Sequence, residues 1–143
     1  MERCDVLRKL MNPGPTDMPT SIGLLLLRIA VGGMMAFGHG WDKLTTFSER
    51  KGSFPDLLGV GSGAVNLALA IGAEFFCAVF VVLGLFTRVA AVPLAFTMLM
   101  AAFVVHGADP FAKKELALFY LAGALALVFT GAGKLSVDGA VRG

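Results

Sequence analysis

The chain has 143 residues, which is enough for one domain. Hydrophobic residues make up 57% of it and charged residues 15%, whereas about 25% of a typical soluble domain is charged. This composition predicts a protein that is embedded in a membrane. The formal net charge is only +2, and no basic patch is interleaved with aromatic side chains, so nucleic acid is not expected as a partner.

The domain organisation follows from where the apolar residues begin and end. Residues 1–20 are predicted to form a polar tail, with a short interfacial helix over 4–11 that the following prolines interrupt. A membrane domain is predicted over 21–139, and residues 140–143 form the C-terminal end. Thr20 or Ser21 is the predicted N-cap of the first membrane helix.

Apolar segments of helical length predict an all-α integral membrane protein, because a bilayer core takes about 20 residues of helix. Their predicted bounds are 22–37 with a continuation to Lys43, 64–86, 89–105 and 115–130. Such segments predict a four-helix bundle with antiparallel, up-down-up-down topology and both termini on one side. Lysines and arginines outside the segments divide almost evenly between the two sides, and we favour termini in the cytoplasm.

A single carboxylate, Glu74, lies near the middle of the second apolar segment. A lone charge at that depth costs about 2.5–3.5 kcal/mol on insertion scales, so it needs a partner or a proton. Arg28 is the other ionisable residue well inside an apolar segment, and counting residues from the termini places the two at similar depths. We therefore predict a buried Arg28–Glu74 ion pair, which either locks the bundle or forms a quinone or proton site.

Further polar residues are predicted on the face opposite the termini. His39 and His106 end the first and third segments, where they could bind a metal, bind haem or relay protons. We favour interfacial hydrogen bonding instead and expect no metal site, because a metal normally needs a third or fourth ligand. Lys43 and Trp41 are expected in the headgroup region. The remaining candidates on this face are Asp42, Asp109, Lys114 and Glu115.

Close packing of the first helix is indicated by small residues at four-residue spacing, Gly32, Ala36 and Gly40. Their shared face would allow the backbone of a neighbouring helix to approach closely.

Three stretches of the chain resemble the DoxX family of small four-helix bacterial membrane proteins. They are LLLRIAVGGMMAFGHGWDKL, AEFFCAVFVVLGLFTRVAAVPLAFTMLMAAFVVH and FTGAGKLSVDG. The family's recurring charged positions, carried onto this chain, are Arg28, Lys43, Glu74, Arg88 and the Gly133–Lys134 turn. The resemblance implies the bacterial cytoplasmic membrane as the location, with several crossings of the bilayer.

DoxX-like proteins include DoxD, the membrane subunit of thiosulfate:quinone oxidoreductases, so the resemblance implies a membrane component linked to quinone or thiol redox metabolism. Quinone is the implied cofactor, and a soluble redox protein is the implied partner beside the lipid bilayer. A second copy of the chain could be a further partner, because stripes of small residues can mediate contacts between copies as well as within the bundle. Two alternatives stay open. One is a non-enzymatic scaffold or small-molecule binding protein, and the other is a carrier for a small solute or proton.

Overall fold

The structure, a computed structural model, describes residues 12–14 and 17–142, and within these ranges it is helical with no strand. The helix predicted over 4–11 lies outside the described residues. We number the described helices α1 (Met18–Thr45), α2 (Phe47–Arg50), α3 (Gly63–Leu83), α4 (Thr87–Val105), α5 (Phe111–Thr130) and α6 (Val137–Arg142). The predicted all-α class is therefore confirmed.

Among the described helices, three are long and apolar enough to cross a membrane: α1 with 28 residues, α3 with 21 and α4 with 19. The fourth predicted span forms the 20-residue helix α5, but three charged side chains lie in its first two turns. These are Lys113, Lys114 and Glu115. Membrane-like helices thus account for most of the described chain.

The start of α1 differs from the prediction. Its N-cap is Asp17, which has extended backbone and accepts a hydrogen bond from the Thr20 N–H at 3.1 Å. This side-chain hydrogen bond with Thr20 lowers the pKa of Asp17 below its ordinary value. Pro19 occupies the first turn, where its missing N–H costs nothing. Thr20 and Ser21 are therefore inside the helix, and the prediction that either is the cap was wrong.

Wider π-helical turns interrupt the long helices. In α1 they cover Ile29–Gly33 and Ala36–Gly40, in α3 Gly72–Cys77, and in α4 Ala101–Val105. Single π turns inside α-helices are frequent at functional sites, because they turn side chains out of the regular α-helical register.

Helices α1 and α3 approach closely through glycine. A Cβ on Gly32 would collide with Ala78 and Val82, and one on Gly40 would collide with the backbone of Glu74. Helices α1 and α3 therefore run in opposite directions where they contact each other. The core beside this contact is apolar, and its buried members include Val31, Met35, Ala78, Leu94 and Ala124.

Candidate functional site

A cavity of about 590 Å³ lies among α1, α3, α4, α5 and the segment 54–58. Pockets for small molecules typically measure about 300–1,000 Å³, so it is large enough for a small ligand. Its wall is mostly apolar, with Met35, Leu69, Phe96 and Leu116 among the lining residues. The polar side chains that also line it are His39, Lys43, Asn66, Glu74, Thr97, His106, Lys113 and Tyr120.

The charged centre of the cavity is an ion pair between Lys43 of α1 and Glu74 of α3. Lys43 Nζ lies 2.5 Å from Glu74 Oε2, and the two side chains are 19% and 7% exposed. This pair replaces the predicted Arg28–Glu74 pair, which is not formed. It also corrects the expected position of the Lys43 amine, which meets a carboxylate in the cavity wall instead of lipid headgroups. Lys43 is the partner that the buried carboxylate needs.

The register of α1 against α3 explains why Arg28 does not meet Glu74. The backbone of Glu74 lies opposite Gly40, whereas the guanidinium of Arg28 lies beside Gly84, where α3 ends. Arg28 precedes Gly40 by twelve residues, and twelve residues of helix rise about 18 Å, which is too far for an arginine side chain to span. Arg28 donates instead to the carbonyl of Val82 at 3.4 Å and to that of Leu135. Counting residues from the predicted ends of the segments therefore gave the wrong relative depth for the two groups.

Asp138 is the carboxylate whose charge acts on Arg28, and the sequence analysis did not predict this. It is 1% exposed and accepts hydrogen bonds from the Phe86 N–H at 2.8 Å and the Thr87 N–H at 3.0 Å. A negative charge is favourable at this place, the N-terminus of α4, and it also attracts the Arg28 guanidinium. The Asp138 N–H donates to the Gly84 carbonyl at 2.9 Å. These contacts fasten α6 onto the α3–α4 turn, away from the cavity.

His39 and Tyr120 meet at another part of the cavity wall. Their ring centroids are 5.9 Å apart and the rings are nearly perpendicular, at 84°. Tyr120 is 3% exposed, whereas His39 is half-buried. No sequence pattern had singled out Tyr120, since a lone tyrosine in an apolar helix is usually a packing residue.

His106 lies at the end of the cavity where α4 stops. Its Nδ1 is 2.8 Å from Asp109 Oδ2, and Lys113 Nζ is 3.9 Å from the other oxygen of Asp109. The hydrogen bond from His106 is the main reason that the pKa of Asp109 is lowered, and the nearby lysines add to it. The two predicted histidines therefore both reach the cavity, but each has a different neighbour.

The other predicted residues of this face lie outside the cavity. Asp42 forms a surface ion pair with Arg50 at 2.8 Å, with both side chains about half exposed. Lys114 donates to the Gly107 carbonyl at 3.0 Å, and Glu115 is exposed. In the described part of the chain, no group of three or more His, Cys, Asp or Glu side chains could hold a metal ion.

Hydrogen bonds made by Asn66 and Asp56 hold the segment 54–58 over the cavity. Asn66 Nδ2 donates to Asp56 Oδ1 at 2.7 Å, and its Oδ1 accepts the Leu58 N–H at 3.1 Å. Asp56 also accepts the N–H groups of Val60 at 3.0 Å and Gly61 at 2.6 Å. Asn66 is 4% exposed and all of its described polar atoms have partners. It therefore orders the wall and leaves no group for a ligand.

A family model described as DoxX matches residues 23–107, more than half of the chain. The chain belongs to the DoxX family. The DoxX match contains Arg28, Lys43 and Glu74, and it ends before Tyr120 and Asp138. Comparison with curated proteins and with solved structures gave no match. Membership in DoxX and the three membrane-like helices together establish a membrane protein.

Proposed function

We propose that this DoxX-family protein binds a small lipophilic molecule of the quinone class in its cavity and acts as a membrane component of quinone-linked redox metabolism. The observation that carries the proposal is the Lys43–Glu74 pair in an otherwise mostly apolar wall. An apolar pocket with a few convergent polar groups is the usual form of a site for such a ligand.

Lys43 is the residue that would bind a quinone oxygen. A lysine ammonium has three N–H donors, and the structure uses one of them on Glu74. The remaining donors can serve a carbonyl oxygen. Glu74 holds the Lys43 side chain in place through the ion pair, and its carboxylate can exchange a proton with a bound molecule. Lys43 thus takes the place in the quinone or proton site that the sequence analysis predicted for Arg28.

We further propose that α1, α3, α4 and α5 cross the bacterial cytoplasmic membrane as an antiparallel four-helix bundle with the termini in the cytoplasm. The opposite order of contacts along α1 and α3 supports this arrangement. The charged first turns of α5 would lie at the membrane interface, where lysine amines can reach the headgroups. A soluble redox protein would supply or accept electrons, and a second copy of the chain could cover exposed apolar helix faces.

The proposal is tested by identifying what the protein holds after purification in a mild detergent. We expect organic extracts of the wild-type protein to contain a quinone in near-stoichiometric amount, detected by mass spectrometry. Lys43→Met should lose it, whereas Lys51→Met, at an exposed lysine outside the cavity, should retain it. Purified protein that holds only phospholipid, and that takes up no added quinone, would overturn the proposal.

A further inference from the structure

The hydroxyl of Tyr120 is a polar group that the proposed quinone site has not yet used. The side chain lines the cavity and the residue is 3% exposed. Its ring contacts His39 and Phe119, but its hydroxyl has no hydrogen-bond partner among residues 12–14 and 17–142. The hydroxyl oxygen is not one of the fully buried, unpartnered side-chain atoms of the described residues, so it is open to the cavity and available to a molecule there.

Tyr120 and Lys43 reach the cavity from different helices. Tyr120 of α5 packs against His39 of α1, with ring centroids 5.9 Å apart. Tyr120 and Lys43 both line the cavity. Two hydrogen-bond donors, a hydroxyl from α5 and an ammonium from α1, are therefore available to a molecule in one cavity.

We infer that Tyr120 is a second donor of this site and that the ligand is a ring with two opposed carbonyl oxygens, one for Lys43 and one for Tyr120. A 1,4-quinone has this arrangement, whereas a fatty acid or a lipid headgroup presents its oxygens at one end only. The inference rests on the proposed function and deepens it. The ring of His39 against Tyr120 restricts the tyrosine ring and so fixes the direction of its hydroxyl.

The variant Tyr120→Phe tests the inference, because it removes the hydroxyl and keeps the ring. Binding is measured by quenching of the fluorescence of Trp41, the only tryptophan, with an alkyl-1,4-benzoquinone in detergent micelles. The affinity for the matched alkylbenzene, which has no oxygen, is measured by its competition with the same quinone. The control variant is Thr130→Val, which removes a hydroxyl from the same helix where it bonds the Ala126 carbonyl, outside the cavity.

We expect Tyr120→Phe to weaken quinone binding about 10-fold, the effect of one lost hydrogen bond to a buried acceptor. Its affinity for the alkylbenzene should equal that of the wild type, and Thr130→Val should change neither affinity. If wild type and Tyr120→Phe bind the quinone equally, the role of Tyr120 is wrong while the quinone site stands. If the wild type shows no saturable quinone binding, the proposed function fails and this inference fails with it.

Discussion

The guanidinium of Arg28 occupies the space that a Cβ on Gly84 would need. Gly84 ends α3 with a φ of +71°, a left-handed conformation that glycine adopts without strain. The arginine of the first helix is thus fitted into the turn that joins the next two long helices. This contact lies beside the Asp138 carboxylate and closes one end of the helix assembly, while the cavity lies toward the other end.

Gly84→Ala should destabilise the protein by about 2 kcal/mol or more, because alanine is strained at this φ and its methyl group displaces Arg28. Thermal unfolding in detergent, followed by circular dichroism, measures the change. Gly33→Ala is the matched control, since a Cβ on Gly33 meets no neighbouring atom and the residue is helical. An equal melting temperature for Gly84→Ala and wild type would contradict the close contact between Arg28 and Gly84.

Asp138→Ala should cost about 3 kcal/mol, because it leaves the buried N–H groups of Phe86 and Thr87 without an acceptor and removes the carboxylate near Arg28. Chemical unfolding in mixed micelles gives this value. Asp42→Ala serves as the comparison, since the half-exposed Asp42–Arg50 pair should contribute less than about 1 kcal/mol. Equal losses from the two variants would rule out the proposed anchoring of α6.

The hydrogen bonds that Asp56 accepts should depend on pH. Burial raises the pKa of Asp56, but hydrogen bonds from Gly61, Asn66 and Val60 outweigh it, and the net effect is a pKa below the ordinary 3.8. A carboxylate whose pKa is lowered on folding stabilises the folded state above pH 3.8 and loses that contribution as the pH falls through its folded pKa.

We therefore expect the amide resonance of Gly61 to titrate with a midpoint below 3.8 when followed by NMR in micelles. Asp56→Asn should abolish the transition and should let the segment 54–58 exchange its amide protons faster at neutral pH. A Gly61 titration with a midpoint above 3.8 would contradict the hydrogen bonds that the structure assigns to Asp56.

The helices were predictable because long apolar runs have few alternatives in a membrane. The partner of Glu74 was not, because residue counts along two segments do not give the register in which the helices pack, and Lys43 resembled an interfacial lysine. Asp138 was hidden in a short polar end, and its burial depends on α6 folding back onto the α3–α4 turn. The importance of Tyr120 depends on a cavity, which no local sequence pattern reveals.

The role of the Lys43–Glu74 pair can be separated from the stability that it provides. Replacing one partner leaves the other charge buried, which is destabilising, whereas replacing both with apolar residues of similar volume is often neutral. We expect Lys43→Met and Glu74→Met to lower the melting temperature singly, and the double variant to recover most of that loss. Glu49→Met with Lys51→Met, at exposed positions, is the matched double control.

The most direct test is the dissociation constant of the double variant Lys43→Met, Glu74→Met for an alkyl-1,4-benzoquinone, compared with wild type and with the Glu49, Lys51 control. We expect the folded double variant to bind at least 10-fold more weakly, with the control unchanged, because the carbonyl oxygen loses its charged donor. Wild-type affinity in the folded double variant would contradict a binding role for the pair and leave it a purely structural contact.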